Sequence, residues 1–164
     1  MIIVITCIYT RIQCIFVIVI STLISTRSLV QYEFKVIKNK GNTLKEKNTK
    51  DLINQLVSSI QERKGKKIVI ADLTAIEDTI TNYFIICEGT SSNQVGSIVE
   101  NLKYDIKEQL GESPLAIDGL GSAEWVVIDY VNVVVHVFQP EARNYYDLEN
   151  LWADAQLTTI PDID

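Results

Sequence analysis

The chain has 164 residues, enough for one domain and short of two comfortable ones. Its 47% hydrophobic and 22% charged residues exclude a disordered or fibrous class; three Cys exclude a disulfide scaffold, and one His leaves too little for a His-based zinc site. The net charge of -6 is uneven: residues 1–44 carry five Lys/Arg against one acid, whereas residues 71–164 carry three against seventeen, a net of -14. So acidic a half repels phosphate backbones, which argues against direct nucleic-acid readout, and it steers basic partners toward itself. Acidity of this kind also simply keeps a small domain soluble.

Residues 1–26 carry one charge, Arg11, and residues 12–26 carry none. Fifteen uncharged residues fall short of the ~20 that span a bilayer as a helix. A basic residue, an apolar run and then Ser21, Thr22 and Ser25 fit a targeting segment. Met1 is the chain's only Met, and the competing expectation is that residues 1–44 are upstream reading frame outside the functional protein. Cys7 and Cys14 lie in this extension, so the expected folded domain, residues 45–164, keeps Cys87 alone.

Leu52, Ile53, Leu56, Val57 and Ile60 stand at helical spacing within residues 45–64, and Gly65 ends the run. Residues 68–73 read as a buried strand and residues 81–87, rich in aromatic and β-branched side chains, as a second. Gly89-Thr90-Ser91-Ser92 opens a helix whose stripe is Val95, Ile98, Val99, Leu102, Ile106 and Leu110. Ser91 and Gln94 have the capping-box spacing, and Gly111 stands at the expected C-terminus. Residues 115–117 form a brief strand before the turn Asp118-Gly119-Leu120-Gly121.

Residues 124–130 and 133–139, separated by Val131-Asn132, read as a tight hairpin pairing Tyr130 with Val133, Val127 with His136 and Trp125 with Phe138. Alternation then puts Val126, Ile128, Tyr130, Val133, Val135 and Val137 on a core face. Trp125, Val127, Asp129, Val134, His136 and Phe138 share the other face, a mixture suited either to a protein interface or to cover by a helix of the same chain. A last helix is expected from Pro140 through Trp152. The whole is an α/β (α+β) fold: a mixed sheet of about five strands with helices packed on it.

Candidate chemistry is sparse. The Gly89–Ser92 turn has the residues to cradle an anion, and equally those of any capped helix. Asp72, Asp118 and Asp129 are an imaginable metal set, yet each stands where a strand ends or a turn begins. His136 is expected near Asp129 across the hairpin, packed and hydrogen-bonded, with no nucleophile placed beside it, and Cys87 reads as core.

Seven ordered runs carry a resemblance: Asp72-Leu73, residues 83–95, Asp118-Gly119, Ala123-Glu124-Trp125-Val126, Asp129-Tyr130, Val135-His136-Val137-Phe138, and residues 145–154. Together they resemble the ribosomal silencing factor family, RsfS or Iojap, over about residues 47–164. The resemblance implies a nucleotidyltransferase-like but non-catalytic sheet with no cofactor. It implies binding of the large ribosomal subunit through its fourteenth ribosomal protein, where the small subunit docks, so that joining is blocked and translation repressed. A homodimer and a cytoplasmic, bacterial-type setting are implied as well, with organellar targeting the alternative for the N-terminal extension. Trp125 and Tyr146 carry over as interface aromatics, and Glu124, Asp129 and Glu149 are added as acids expected near them. Val131-Asn132 departs from the Gly-Asp that the family usually has in this turn. Two other readings compete. One is a nucleotidyltransferase-type enzyme with Ser91 and Ser92 near phosphates and Asp118 near a metal; the other is a membrane-tethered adaptor held by residues 1–26.

Overall fold

The computed structural model describes residues 42–163; residues 1–41, over which the targeting and reading-frame expectations mainly fall, lie outside the described residues. The first helix, α1, runs Asn42–Glu62 and buries Leu52, Ile53, Leu56 and Ile60, the stripe predicted from spacing. Strand β1 (Lys66–Asp72) follows, then β2 (Tyr83–Glu88), then α2 (Ser92–Leu110). Ser91 caps α2 by accepting the Gln94 N–H on Oγ at 3.3 Å. Gln94 answers from its side chain, but to the Thr90 N–H (2.8 Å), one residue before the cap. Gly111 closes the helix at φ 70°, a left-handed position that glycine occupies without strain.

Next come β3 (Ala116–Asp118), β4 (Trp125–Asp129) and β5 (Val133–Phe138). The predicted final helix is two pieces, α3 (Pro140–Tyr146) and α4 (Leu148–Leu151), broken at Asp147 with φ 44°. Asp is among the few residues that enter the left-handed region readily, and the break aims Leu148 into the sheet, where it is buried. Strand β6 (Gln156–Ile160) is absent from the sequence reading. It makes the sheet six-stranded, in the order β3-β4-β5-β2-β1-β6. Among the described residues β2 and β5 pair in parallel and the other neighbours are antiparallel.

The hairpin register is the predicted one, with Trp125 opposite Phe138 and Val127 opposite His136. Its two faces feed two cores. Val126, Ile128, Val133, Val135 and Val137 join Leu56, Ile60, Ile98, Leu102 and Ile106 in the larger, under α1 and α2. Val134 and Phe138 join Phe84, Ile86, Ala71, Leu73 and Leu148 in the smaller, with Trp125, Val127, Tyr146 and Trp152 half-buried at its border. The mixed face is thus covered by the chain's own C-terminal helices over part of its extent.

At the hairpin tip the positive φ falls on Val131 (71°) and not on Asn132. The Tyr130 carbonyl accepts the Asn132 N–H (2.9 Å), a bond across one residue that makes Val131 the centre of a γ-turn. The Asp129 carboxylate accepts the Val131 N–H at 2.6 Å and holds it there. A β-branched residue at positive φ is strained by about 1–2 kcal/mol, and Val131 is too exposed to regain this by burial. Val131→Gly is therefore expected to stabilise the fold by about 0.5–1 kcal/mol, after the ~0.4–1 kcal/mol that glycine costs through the unfolded chain. Urea unfolding measures this, and a destabilised variant contradicts the strain argument.

Candidate functional site

The start of β4 is fixed by a close backbone approach. Gly119, at φ 90°, lies against the Trp125 carbonyl so tightly that an added Cβ would be 2.0 Å from its oxygen. The glycine of the Asp118-Gly119 turn thereby sets where Trp125 leaves the strand. Its indole stacks on Phe138, with centroids 4.8 Å apart and planes 22° apart, and meets Tyr146 of α3 at 4.6 Å. Tyr145 packs edge-on against Tyr146 (5.0 Å, 89°) and is 78% exposed. Adjacent helical residues point in different directions, so one tyrosine closes the small core while its neighbour stands in solvent. Trp125, Tyr146 and Tyr145 form an aromatic step from core to water.

Beneath this step lies His136, edge-on to Phe84 at 4.9 Å and 85°. Its partner is Trp125, whose Nε1–H donates to Nδ1 at 3.2 Å, and not Asp129 as expected. Asp129 is opposite Val134 and its carboxylate is turned to the hairpin tip. Nε2 of His136 is buried and meets no acceptor among the described residues. Such a donor costs about 1–3 kcal/mol. Burial pushes the imidazole pKa from 6.5 down to about 3, so the ring is neutral.

Helix α3, which carries both tyrosines, is pinned by its own Arg143, which is buried. It donates from Nη1 to the Lys67 carbonyl (2.8 Å) and from Nε to Glu149 Oε1 (3.0 Å), with Nη2 on the same Glu149 oxygen. Glu88, also buried, stands 3.5 Å from Arg143 and 3.1 Å from Lys67 Nζ. Lys67 has φ 49° at a bulge in β1 that breaks the register with β2, which exposes its carbonyl to the guanidinium.

The five residues expected at the interface therefore differ in setting. Trp125 and Tyr146 are in contact. Glu124 is exposed, next to Trp125, with its carbonyl taken by the Gln139 N–H at 2.8 Å. Glu149 is engaged with Arg143. Asp129 is at the other end of β4, about 14 Å from Trp125 at ~3.4 Å per residue. The sequence pattern does not mark Tyr145 as the most exposed aromatic among the described residues, nor Arg143 as an anchor. The Tyr145-Tyr146 pair was the available signal for the first; a lone Arg in an acidic half was the only hint of the second.

The competing chemistries find their residues in local structural use. Gln94 fills the Gly89–Ser92 turn, its Nε2 donating to the Arg63 (3.1 Å) and Lys64 (3.0 Å) carbonyls. Asp72 accepts from the Thr74 N–H (2.9 Å) and Asp118 from the Gly119 N–H (2.8 Å). Among the described residues no group of three His, Cys, Asp or Glu is placed to hold a metal, and no helix is long and apolar enough to cross a membrane. Burial pushes the Cys87 thiol up to about 12, as fits a core residue.

The His136 setting has a pH signature. The unfolded chain binds a proton near pH 6.5 that the native imidazole refuses down to about 3. Stability from this group is full above pH 6.5 and is lost as pH falls toward 3, at about 1.4 kcal/mol per unit. Between pH 7 and pH 5 the chain is expected to lose about 2 kcal/mol more than its His136→Phe variant, measured by urea unfolding at each pH. Parallel profiles contradict a neutral buried imidazole.

Comparison with known proteins agrees with the resemblance. The sequence profile of the family described as "Ribosomal silencing factor during starvation" (RsfS) matches residues 46–164. A protein of Halalkalibacterium halodurans named ribosomal silencing factor RsfS is 38% identical over 105 residues, 64% of this chain and 88% of that protein. A Bacillus subtilis protein of the same name is 34% identical over 113 residues, 69% of this chain and 94% of the other. A crystal structure of a Chromobacterium violaceum protein superposes with a TM-score of 0.60 at 32% identity, covering 63% of this chain and 85% of that one. The chain belongs to the ribosomal silencing factor (RsfS) family.

Proposed function

We propose that this chain is a translational repressor that binds the large ribosomal subunit through its fourteenth ribosomal protein and blocks joining of the small subunit. Family membership over residues 46–164 carries this reading. The aromatic step of Trp125, Tyr146 and Tyr145 supports it, because half-exposed Trp and Tyr beside a packed core are the usual anchors of protein interfaces. Charge supports it too: residues 71–164 carry a net of -14 and suit a basic ribosomal protein. Glu124, exposed beside Trp125, is the acid best disposed to meet that partner, whereas Glu149 acts by holding α3 through Arg143.

Steric exclusion needs affinity and position and no bond-making step. The same reading makes residues 45–164 the ribosome-binding domain, working in the cytoplasm and able to form a homodimer. Two substitutions test it by co-sedimentation with purified subunits. Trp125→Ala is expected to weaken binding to the large subunit about 30-fold, the equivalent of ~2 kcal/mol, and Tyr145→Ala to weaken it without any loss of fold. Binding should fall as salt rises, since the attraction is partly between opposite charges. Full co-sedimentation of folded Trp125→Ala and Tyr145→Ala variants contradicts the assignment of this patch.

A further inference from the structure

We infer that His136 is a positioning residue for the binding surface, accepting the Trp125 indole N–H on Nδ1 and so setting how the indole is presented to a partner. This rests on the reading of Trp125 as a ribosome contact. An indole N–H can only donate, so the Nδ1 that receives it at 3.2 Å carries a lone pair. The neutral ring then has its proton on Nε2. That N–H is buried and without an acceptor among the described residues, an unfavourable arrangement in a core.

Packing does not explain why an imidazole occupies this place. The ring lies 4.9 Å from Phe84, 5.8 Å from Trp125 and 6.2 Å from Phe138, a pocket that a phenyl ring would fill without burying an orphan donor. What phenylalanine lacks is the acceptor at Nδ1. The hairpin register delivers that acceptor: Trp125 is opposite Phe138 and His136 is opposite Val127, so indole and imidazole are diagonal neighbours on one face. Phe138 and Tyr146 confine the plane of the indole, and a hydrogen bond to Nδ1 selects one of its two edges.

The experiment uses the full chain. In ¹⁵N-resolved NMR the wild-type imidazole should be the tautomer protonated on Nε2, and the Trp125 indole proton should be protected from exchange. A proton on Nδ1 overturns the inference without any variant. His136→Phe should make that indole proton exchange about tenfold faster and weaken co-sedimentation with the large subunit about tenfold. His136→Asn, whose Oδ1 can accept near the place of Nδ1, should restore both to within about threefold of wild type. Equal losses in both variants, or none in His136→Phe, overturn positioning in favour of simple packing. If the wild-type chain itself does not sediment with the large subunit, the reading of Trp125 falls, and indole exchange alone decides: faster exchange in His136→Phe, restored in His136→Asn, supports positioning, and unchanged exchange overturns it.

Discussion

Strand β5 is buried along its whole length, from Val133 to Phe138, with β4 on one side and β2 on the other. Alternate side chains of a strand point to opposite faces, so this one element demands cover on both. Val133, Val135 and Val137 receive it from the long helices α1 and α2. Val134, His136 and Phe138 receive it from α3 and α4, which have 7 and 4 residues. Helices that short cannot close the face, and the aromatic step of Trp125, Tyr146 and Tyr145 is the border where cover ends. The surface proposed to meet the ribosome is thus a consequence of an unequal two-sided sheet.

The short helices also need an anchor, because elements of one or two turns are not stable alone. Arg143 supplies it. Its planar guanidinium reaches Glu149 with two nitrogens while a third donates to the Lys67 carbonyl. A lysine has no such fork, so Arg and Lys are not equivalent here. A buried ion pair adds little net stability after desolvation; what it confers is a single arrangement. The arrangement fixes the angle of α3, and with it the place of both tyrosines.

Much of this was legible in the residues. The α2 caps at Ser91 and Gly111, the hairpin register and the two-faced sorting of β4 and β5 follow from local spacing, which the tertiary structure did not override. Strand β6 was not legible: Gln156-Leu157-Thr158-Thr159 is exposed throughout, so no apolar alternation marks it. It exists because β1 offers an edge to pair with. The break at Asp147 is hidden for a different reason: the pattern of residues 140–152 is helical, and the burial of Leu148 that accompanies the break is a tertiary feature. At the candidate site, the motif runs mark Trp125 and Tyr146, and the structure brings their rings into contact. The partner of His136 is not legible because Trp125 and Asp129 are both diagonal to it across the hairpin; what separates them is that the Asp129 carboxylate is taken by the Val131 N–H at the tip.

Occlusion of the joining face is read out by subunit joining itself. Large subunits preloaded with the chain would be mixed with small subunits and followed by light scattering, with order of addition reversed as the control. With occlusion, joining falls in proportion to occupancy of the large subunit, and preloading the small subunit has no effect. Joining at the normal rate and extent with the large subunit fully occupied would contradict it.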